Sequence, residues 1–566
     1  MKTSTIIEYS AVDITAKSDS QLSVNNSQDF SKLDELKSDK LQEIKYSTLE
    51  KNHFTLDGKS ENMGSTITGV GWWSKLMSDE NGSFTTPLVL TINFSQVHSS
   101  IGLTLTFSKY AYCNSLKIQY YSASNELIVE KTYSPNEYNY FCEQTVANYK
   151  KVVITFYSTN IPYRYLKLYG IMYGKGISFT GDDLISANML EQVNLLSDEL
   201  SINTLDFVVY SDNDQFNILN PQGIYATLQA RQKVNVYQSK NQETYDMGSF
   251  YIDSWQSKND NKMEFKGVDL IGLLDKTTYD GGMFVNITTE NLIAQIFQSA
   301  GMDNSYYSIQ DDIKSIPVTG YIPICTHREA LQQVLFTIGA VANNSRNDII
   351  ELYKINESEE PKQISSANVF QGSKEIEQGE IITGVLLQTH NYSNGTEKKN
   401  LYEGQLTAGT HKIAFGSPAF NLTCTGGTIQ SSNANYAIIT TTGGNVSVDG
   451  YEYIDNTQEI LVQNNYLQGN EKSNVLSVDS VYLINNSNAN AIGTRIINYY
   501  NGRYIAKFKH IVDSERAGDK VTLDEQYGNT LNGNIIELDI DLTGGYVSKS
   551  QIVAKVGANN GTTNIW

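Results

Sequence analysis

Apolar residues that alternate one in two dominate the chain, and only a few stretches carry helical spacing. Along residues 202–210, Leu205, Phe207 and Val209 fall on one face, which is strand periodicity. Phe250 and Ile252 alternate in the same way with Tyr251 and Asp253. The turn-like Asn220-Pro221-Gln222-Gly223 and the polar run 239–244 break the pattern, so residues 176–287 predict an antiparallel barrel or sandwich. Ahead of it, β-like runs at 87–94, 101–108, 115–122, 126–134, 150–158 and 163–174 are separated by Asn, Ser and Pro turns. That spacing predicts a β-sandwich over residues 1–175, with a short helical turn near 30–39.

The period then changes. Within residues 288–301, Leu292, Ile293, Ile296, Phe297 and Ala300 share a helical face that Gly301 ends. A second helix starts at Thr326, where Thr326-His327-Arg328-Glu329 has the form of a capping box. Its buried stripe is Leu331, Val334, Leu335 and Ile338, and Asn343 and Asn344 are expected to end it. Residues 349–355 return to strand, making 288–380 a small α/β module. Residues 381–566 are β again, with hairpins of an inserted sandwich over about 406–469. A helix over about 489–501 and strands at 504–512 and 534–545 close the chain.

At 566 residues the chain is long enough for several domains, and 40% apolar with 11% aromatic residues is ample for their cores. The 37 Tyr and 41 Gly, set against 8 Pro, suit a mainly β protein with many polar turns. A net charge of −20 argues against nucleic-acid binding by phosphate neutralisation and against docking on anionic membranes. No apolar window is long enough to span a bilayer and the amino-terminal residues show no secretory core, so cytoplasmic synthesis without membrane insertion is expected. Cys113, Cys142, Cys325 and Cys424 show no C-x-x-C spacing. Free thiols are expected, with a Cys113–Cys142 pairing left open.

Catalytic signatures are missing from the sequence. The six histidines (53, 98, 327, 390, 411 and 510) form no H-x-x-x-H or H-E-x-x-H pair, and His327 is expected on a helix surface. There is no nucleophile elbow, phosphate loop or dinucleotide fingerprint. Ser211-Asp212-Asn213-Asp214 lacks the glycine and closing glutamate of a calcium loop and reads as a polar turn. No catalytic residue, cofactor or metal is therefore expected. Trp72 and Trp73 form an aromatic pair suited either to stacking on a sugar or to packing. Glu537, Asp539 and Asp541 alternate with Ile536, Leu538, Ile540 and Leu542, so one strand face carries three carboxylates. That face is either solvated or lines a lumen from which passing phosphates are repelled.

Four phrases carry a resemblance: INTLDF (202–207), NPQGIY (220–225), FKGVDLIGLLDKT (265–277) and IPICTHREALQQVLFTIGAV (322–341). With them the chain resembles the hub, or tail-associated, proteins of phage tail tips and contractile baseplates. The form is the one common in prophages of low-GC Gram-positive bacteria. The likeness runs over nearly the whole chain, and residues 1–175 resemble a discoidin-like, galactose-binding jelly roll. It implies a jelly roll (1–175), a first hub barrel (176–287), the α/β module (288–380) and a second hub barrel carrying the inserted sandwich (381–566). It further implies a homotrimeric virion component whose two barrels per chain seat on a sixfold tail tube. Its expected neighbours are distal tail and tail tube proteins, the tape measure protein and a spike or fibre, with DNA passing through unbound. A carbohydrate-binding adhesin acting through the jelly roll on host surface glycans is the alternative. A wall hydrolase would need a catalytic constellation not found here.

Overall fold

The alternation of the first unit folds into a seven-stranded antiparallel sheet. A computed structural model describes residues 3–12, 14–37, 46–48, 50–51, 53, 69–179, 184–210, 231–240, 243–259, 261–356, 359–467, 472–502, 504–524 and 529–558. Across the sheet the order is Trp72–Met77, Tyr165–Met172, Ser83–Phe107, Asn139–Thr159, Cys113–Tyr121, Leu127–Tyr133, with Gln21–Val24 paired to Ser83–Phe107. The two longest strands lose regular register between Asn93 and His98 and again between Ser100 and Gly102, which lets them bend around a core. Trp72, Leu90, Ile92, Leu105 and Phe156 fill that core. The expected helical turn is a 3-10 helix, Leu33–Lys37. All four cysteines carry free thiols, and burial pushes the Cys113 thiol up to about 12.

The first strand of the chain lies outside this sheet. Thr3–Val12 pairs antiparallel with Lys233–Lys240 on one side and with Gly174–Phe179 on the other. The jelly roll expected from residue 1 is therefore an insertion that leaves a ladder after Val12 and rejoins it at Gly174, its register partner. The expected limits 1–175 placed residues 3–12 with the sandwich that follows, because sequence order does not show which strand a segment pairs with. The turn expected at 220–223, the NPQGIY phrase and the run 211–214 lie outside the described residues.

The chain divides into two compact units, Met1–Ile185 with Val208–Met247 and Ser254–Glu264, and Ser186–Phe207 with Gly248–Asp253 and Phe265–Trp566. The segment expected as one barrel, 176–287, contributes to both. In the second unit a ladder runs from Glu375–Gln378 through Tyr504–Ile511, Val547–Ala558 and Asn529–Asp541 to residues 188–192.

Helix Thr289–Ser299 begins at Thr288, whose side chain caps Asn291. Helix His327–Ile338 has the expected capping box but ends at Gly339, with φ at 74°, before Asn343 and Asn344. A left-handed glycine stops a helix more abruptly than asparagines four residues on. Leu292, Phe297, Leu331 and Leu335 share one core with Leu387, Leu483 and Ile496. The module expected at 288–380 thus also takes in strands Gly384–Thr389, Gln458–Gln463 and Val475–Val478 and helix Ala489–Tyr500. Between them sits the inserted sandwich, two three-stranded sheets over Ile413, Ala437, Ile439, Val446 and Val448. Its strands begin at Tyr392 and end at Asp455, earlier at both ends than the expected 406–469.

This topology separates two deletions. A chain starting at Gly176 lacks strand Thr3–Val12 and is expected to be insoluble or to unfold well below the full chain. Replacing residues 14–172 by a short Gly/Ser link keeps the ladder and is expected to leave a soluble product. Soluble yield and thermal unfolding check both; equal stability of the two products would contradict the pairing.

Candidate functional site

Trp72 and Trp73 are both buried. Trp72 packs edge-on to Phe156 at 5.6 Å and donates its Nε1–H to the Asn26 carbonyl at 2.9 Å. Trp73 meets Phe30 and Tyr46 at 5.7 and 6.0 Å, and Lys167 Nζ lies 4.4 Å from its ring centre. Lys167 in turn is 2.5 Å from Glu50, and the two side chains are 3% and 0% exposed. Burial alone would push the Glu50 carboxyl up, but the Lys167 charge and hydrogen bonds from Thr48 and Tyr165 hold it below its ordinary value. Both indoles therefore pack inside, and neither leaves a ring face open for a sugar.

The three carboxylates of strand Asn529–Asp541 do share a face, opposite the buried Leu538 and Ile540. An irregularity between Ile535 and Glu537 buries Ile535 in place of Ile536. Each acid has a local partner. Gln192 Nε2 donates to Glu537 at 2.8 Å, and Asn188 Nδ2 donates to Asp539 at 2.6 Å. Asp541 accepts from the Thr543 and Gly544 N–H groups, which ties it to the following turn. Lys549 lies 3.6 Å from Asp539, and Lys509 is the register partner of Lys549. Register partners point to the same side, so this face mixes both signs and is no continuous acidic strip.

Three of the four resembling phrases meet in a knot of buried polar groups. Asp269 caps helix Leu270–Leu274 by accepting from Gly272 N at 2.9 Å, and also accepts from Asn203 N at 3.0 Å. Asn203 accepts from Gln192 N and, through its carbonyl, from Asp269 N. Asn344 accepts from Leu270 N at 3.0 Å. Phe207 stacks on Phe265 at 4.8 Å beside them. Arg328 donates to the Leu200 carbonyl and reaches Glu199 and Asp275 at 2.6 and 3.4 Å. His327 is 1% exposed, with Nδ1 2.8 Å from Thr277 Oγ1, so it is a core residue and not the surface one expected. Burial lowers its pKa. Burial also pushes Asp269 up to about 7. The sequence signal for Asp269 was present: an aspartate directly before the apolar run Leu270-Ile271-Gly272-Leu273-Leu274.

One cluster has the order of a hydrolytic triad. Ser550 Oγ lies 3.1 Å from His510 Nδ1, and Glu515 lies 2.8 Å from Nε2. His510 is fully buried and Ser550 is 3% exposed, so no substrate can reach the hydroxyl. Glu515 instead gathers the N–H groups of Asp513 and Ser514, holding a turn. Among the described residues no group of three or more His, Cys, Asp or Glu side chains is placed to hold a metal.

No protein-family model matches the chain, and no curated protein matches it in sequence. Its structural neighbours include phage tail proteins. A tail protein from Neisseria meningitidis MC58 aligns at 9% identity over 65% of this chain and 92% of that one, with a TM-score of 0.40. Prophage tail protein gp18 from Listeria monocytogenes EGD-e aligns at 10% over 67% and 91%, with a TM-score of 0.38. The family 32 carbohydrate-binding module of C. perfringens NanJ covers 30% of this chain and 99% of its own, at 11% identity and a TM-score of 0.19. Likeness at this level transfers no function.

Two measurements follow from the buried charges. Lys167→Met leaves Glu50 buried without its cation, and about 3–5 kcal/mol of stability is expected to be lost. Adding Glu50→Gln should restore much of it; thermal unfolding that shows no recovery would mean the pair is not the cause. Asp269 has the opposite pH signature. Its folded value of about 7 exceeds the ordinary 3.8, so between them the folded chain keeps a proton that the unfolded chain has lost. Stability from this group is full below pH 3.8 and falls as pH rises through 7. Asp269→Asn keeps a capping oxygen and removes the titration. The melting-temperature difference, parent minus variant, should therefore fall from pH 4 to pH 7.5; a constant difference would exclude the effect.

Proposed function

We propose that this chain is a hub of a phage or phage-derived tail tip or baseplate, assembled as a homotrimer around the path by which DNA leaves. One observation carries the reading. Three of the four phrases that resemble hub proteins come together, through Asn203, Asp269 and Arg328, in a knot that Asn344 joins, where side chains tie backbone to backbone. Such a knot keeps a strand and two helices in fixed relation, which is the work of a mechanical adaptor. Its neighbours on this reading are the tail tube, distal tail and tape measure proteins and a spike or fibre, and the chain is not an enzyme. The mixed charge around Glu537, Asp539 and Asp541 would let a duplex pass a lumen wall without adhering, if that strand lines it. The adhesin alternative loses its named contacts with the burial of Trp72 and Trp73.

Mass photometry of the full chain at micromolar concentration is expected to give a trimer. A cryo-electron map of intact particles is expected to place three copies as a ring at the distal tail end. A monomer in solution together with a map that puts the chain along the shaft, or outside the axis, would overturn the proposal. The same map decides whether Glu537, Asp539 and Asp541 face the lumen.

A further inference from the structure

Strands Tyr392–Leu406 and Gly444–Asp455 of the inserted sandwich pack Val446 and Val448 inward and turn their other side out. On the outer side Phe420 is the register partner of Tyr451. Its ring centre lies 5.7 Å from Tyr451 and 4.8 Å from Tyr453, the rings tilted by 31° and 42°. All three rings are half-buried, so each keeps surface in water. The same side continues through the partners Asp455 and Tyr392, and Tyr321 stands 5.7 Å from Tyr392. The result is an aromatic stripe along one face.

Polar groups run beside the rings. Asn400 Nδ2 donates to Asp449 Oδ1 at 3.0 Å, and Thr423 is the register partner of Asp449. At the neck end, His390 Nδ1 and Asp455 Oδ2 lie 2.6 Å apart, yet His390 Nε2 and Asp455 Oδ1 are buried with no hydrogen-bond partner. The Tyr392 hydroxyl is hydrogen-bonded to Asp455 there, so the chain itself supplies a donor at this end of the stripe.

We propose that this face binds a neutral glycan chain, its sugar rings stacked on Tyr451, Tyr453 and Phe420 and its hydroxyls donating to Asp449, which Asn400 holds in place while also bonding Ser447 and the Tyr402 carbonyl. Aromatic faces suit the apolar side of a pyranose ring, and the adjoining carboxylate suits its hydroxyls. Lys398, the register partner of Tyr451, and Asp449, the partner of Asn400, bring both signs to this face, which gives a polyanion no net attraction. The inference does not depend on the hub reading, and trimer formation is expected to be unchanged by the substitutions that test it.

The test uses the full chain on an array of neutral hexose and N-acetylhexosamine oligosaccharides, followed by calorimetric titration of those retained. At least one is expected to bind, and Tyr451→Ala with Tyr453→Ala is expected to weaken it by roughly ten-fold or more. The variant's melting temperature should stay close to the parent's, because the rings are only half-buried. Binding that survives both substitutions would place the sugar site elsewhere, such as the jelly roll, and overturn the proposal. So would the absence of any neutral glycan, or capture of a tail protein by this face in place of a glycan.

Discussion

A ladder that is opened to admit a domain holds only if the chain returns to it in register, and this chain meets that constraint twice. Val12 and Gly174 are partners in one ladder, with the seven-stranded sheet between them. Thr389 and Gln458 are partners in another, with the inserted sandwich between them. An unstructured loop of either length would add closure entropy and leave its own backbone polar groups to water. A folded insert whose ends emerge side by side adds little, because its core has already fixed the separation of its ends. Tyr392 and Asp455, the first and last paired residues of the sandwich, continue the same two strands.

The buried charges serve the same end. Glu50 with Lys167, and Glu191 with Arg346 at 2.8 Å, are pairs in which each member satisfies the other. Replacing such pairs by apolar residues is often harmless, but breaking one is costly, so they specify an arrangement more than they add stability. Asp269 is the exception: burial pushes its carboxyl up against the opposing pull of backbone N–H groups and the Arg328 charge, so its titration reaches neutral pH.

Much of this was legible in the sequence, and the failures have one origin. The mainly β class, the helices near 289–299 and 327–338 and the capping box follow from local periodicity and caps, which need no knowledge of partners. Sheet partners were not legible near the expected domain limits. Residues 3–12 alternate like any strand, and nothing local in Thr3–Val12 says that it pairs with 233–240 in place of the sheet that follows it. Trp72 and Trp73 were left open between packing and sugar stacking, and His327 was misplaced on a surface, for a related reason: exposure depends on distant residues such as Lys167, Tyr46 and Thr277. The alternation at Glu537, Asp539 and Asp541 was read correctly as one face, while the lysines that mix its charge come from other strands.

Insertion through paired strands also settles how load passes. A module on a single linker can swivel about it, and pulling on the module first straightens the linker. One entered and left through adjacent strands cannot turn without breaking the outermost hydrogen bonds of the ladder it interrupts. The inserted sandwich is held at a second point as well, where Asn435 donates to the carbonyls of Asp280 and Ile322 at 2.8 and 3.0 Å and is 3% exposed. Two attachments, one at the neck and one at Asn435, restrain the rotation that the neck alone would leave. Whatever its outer face holds, a pull there reaches the helical module as a force on hydrogen-bonded strands and not as slack in a tether.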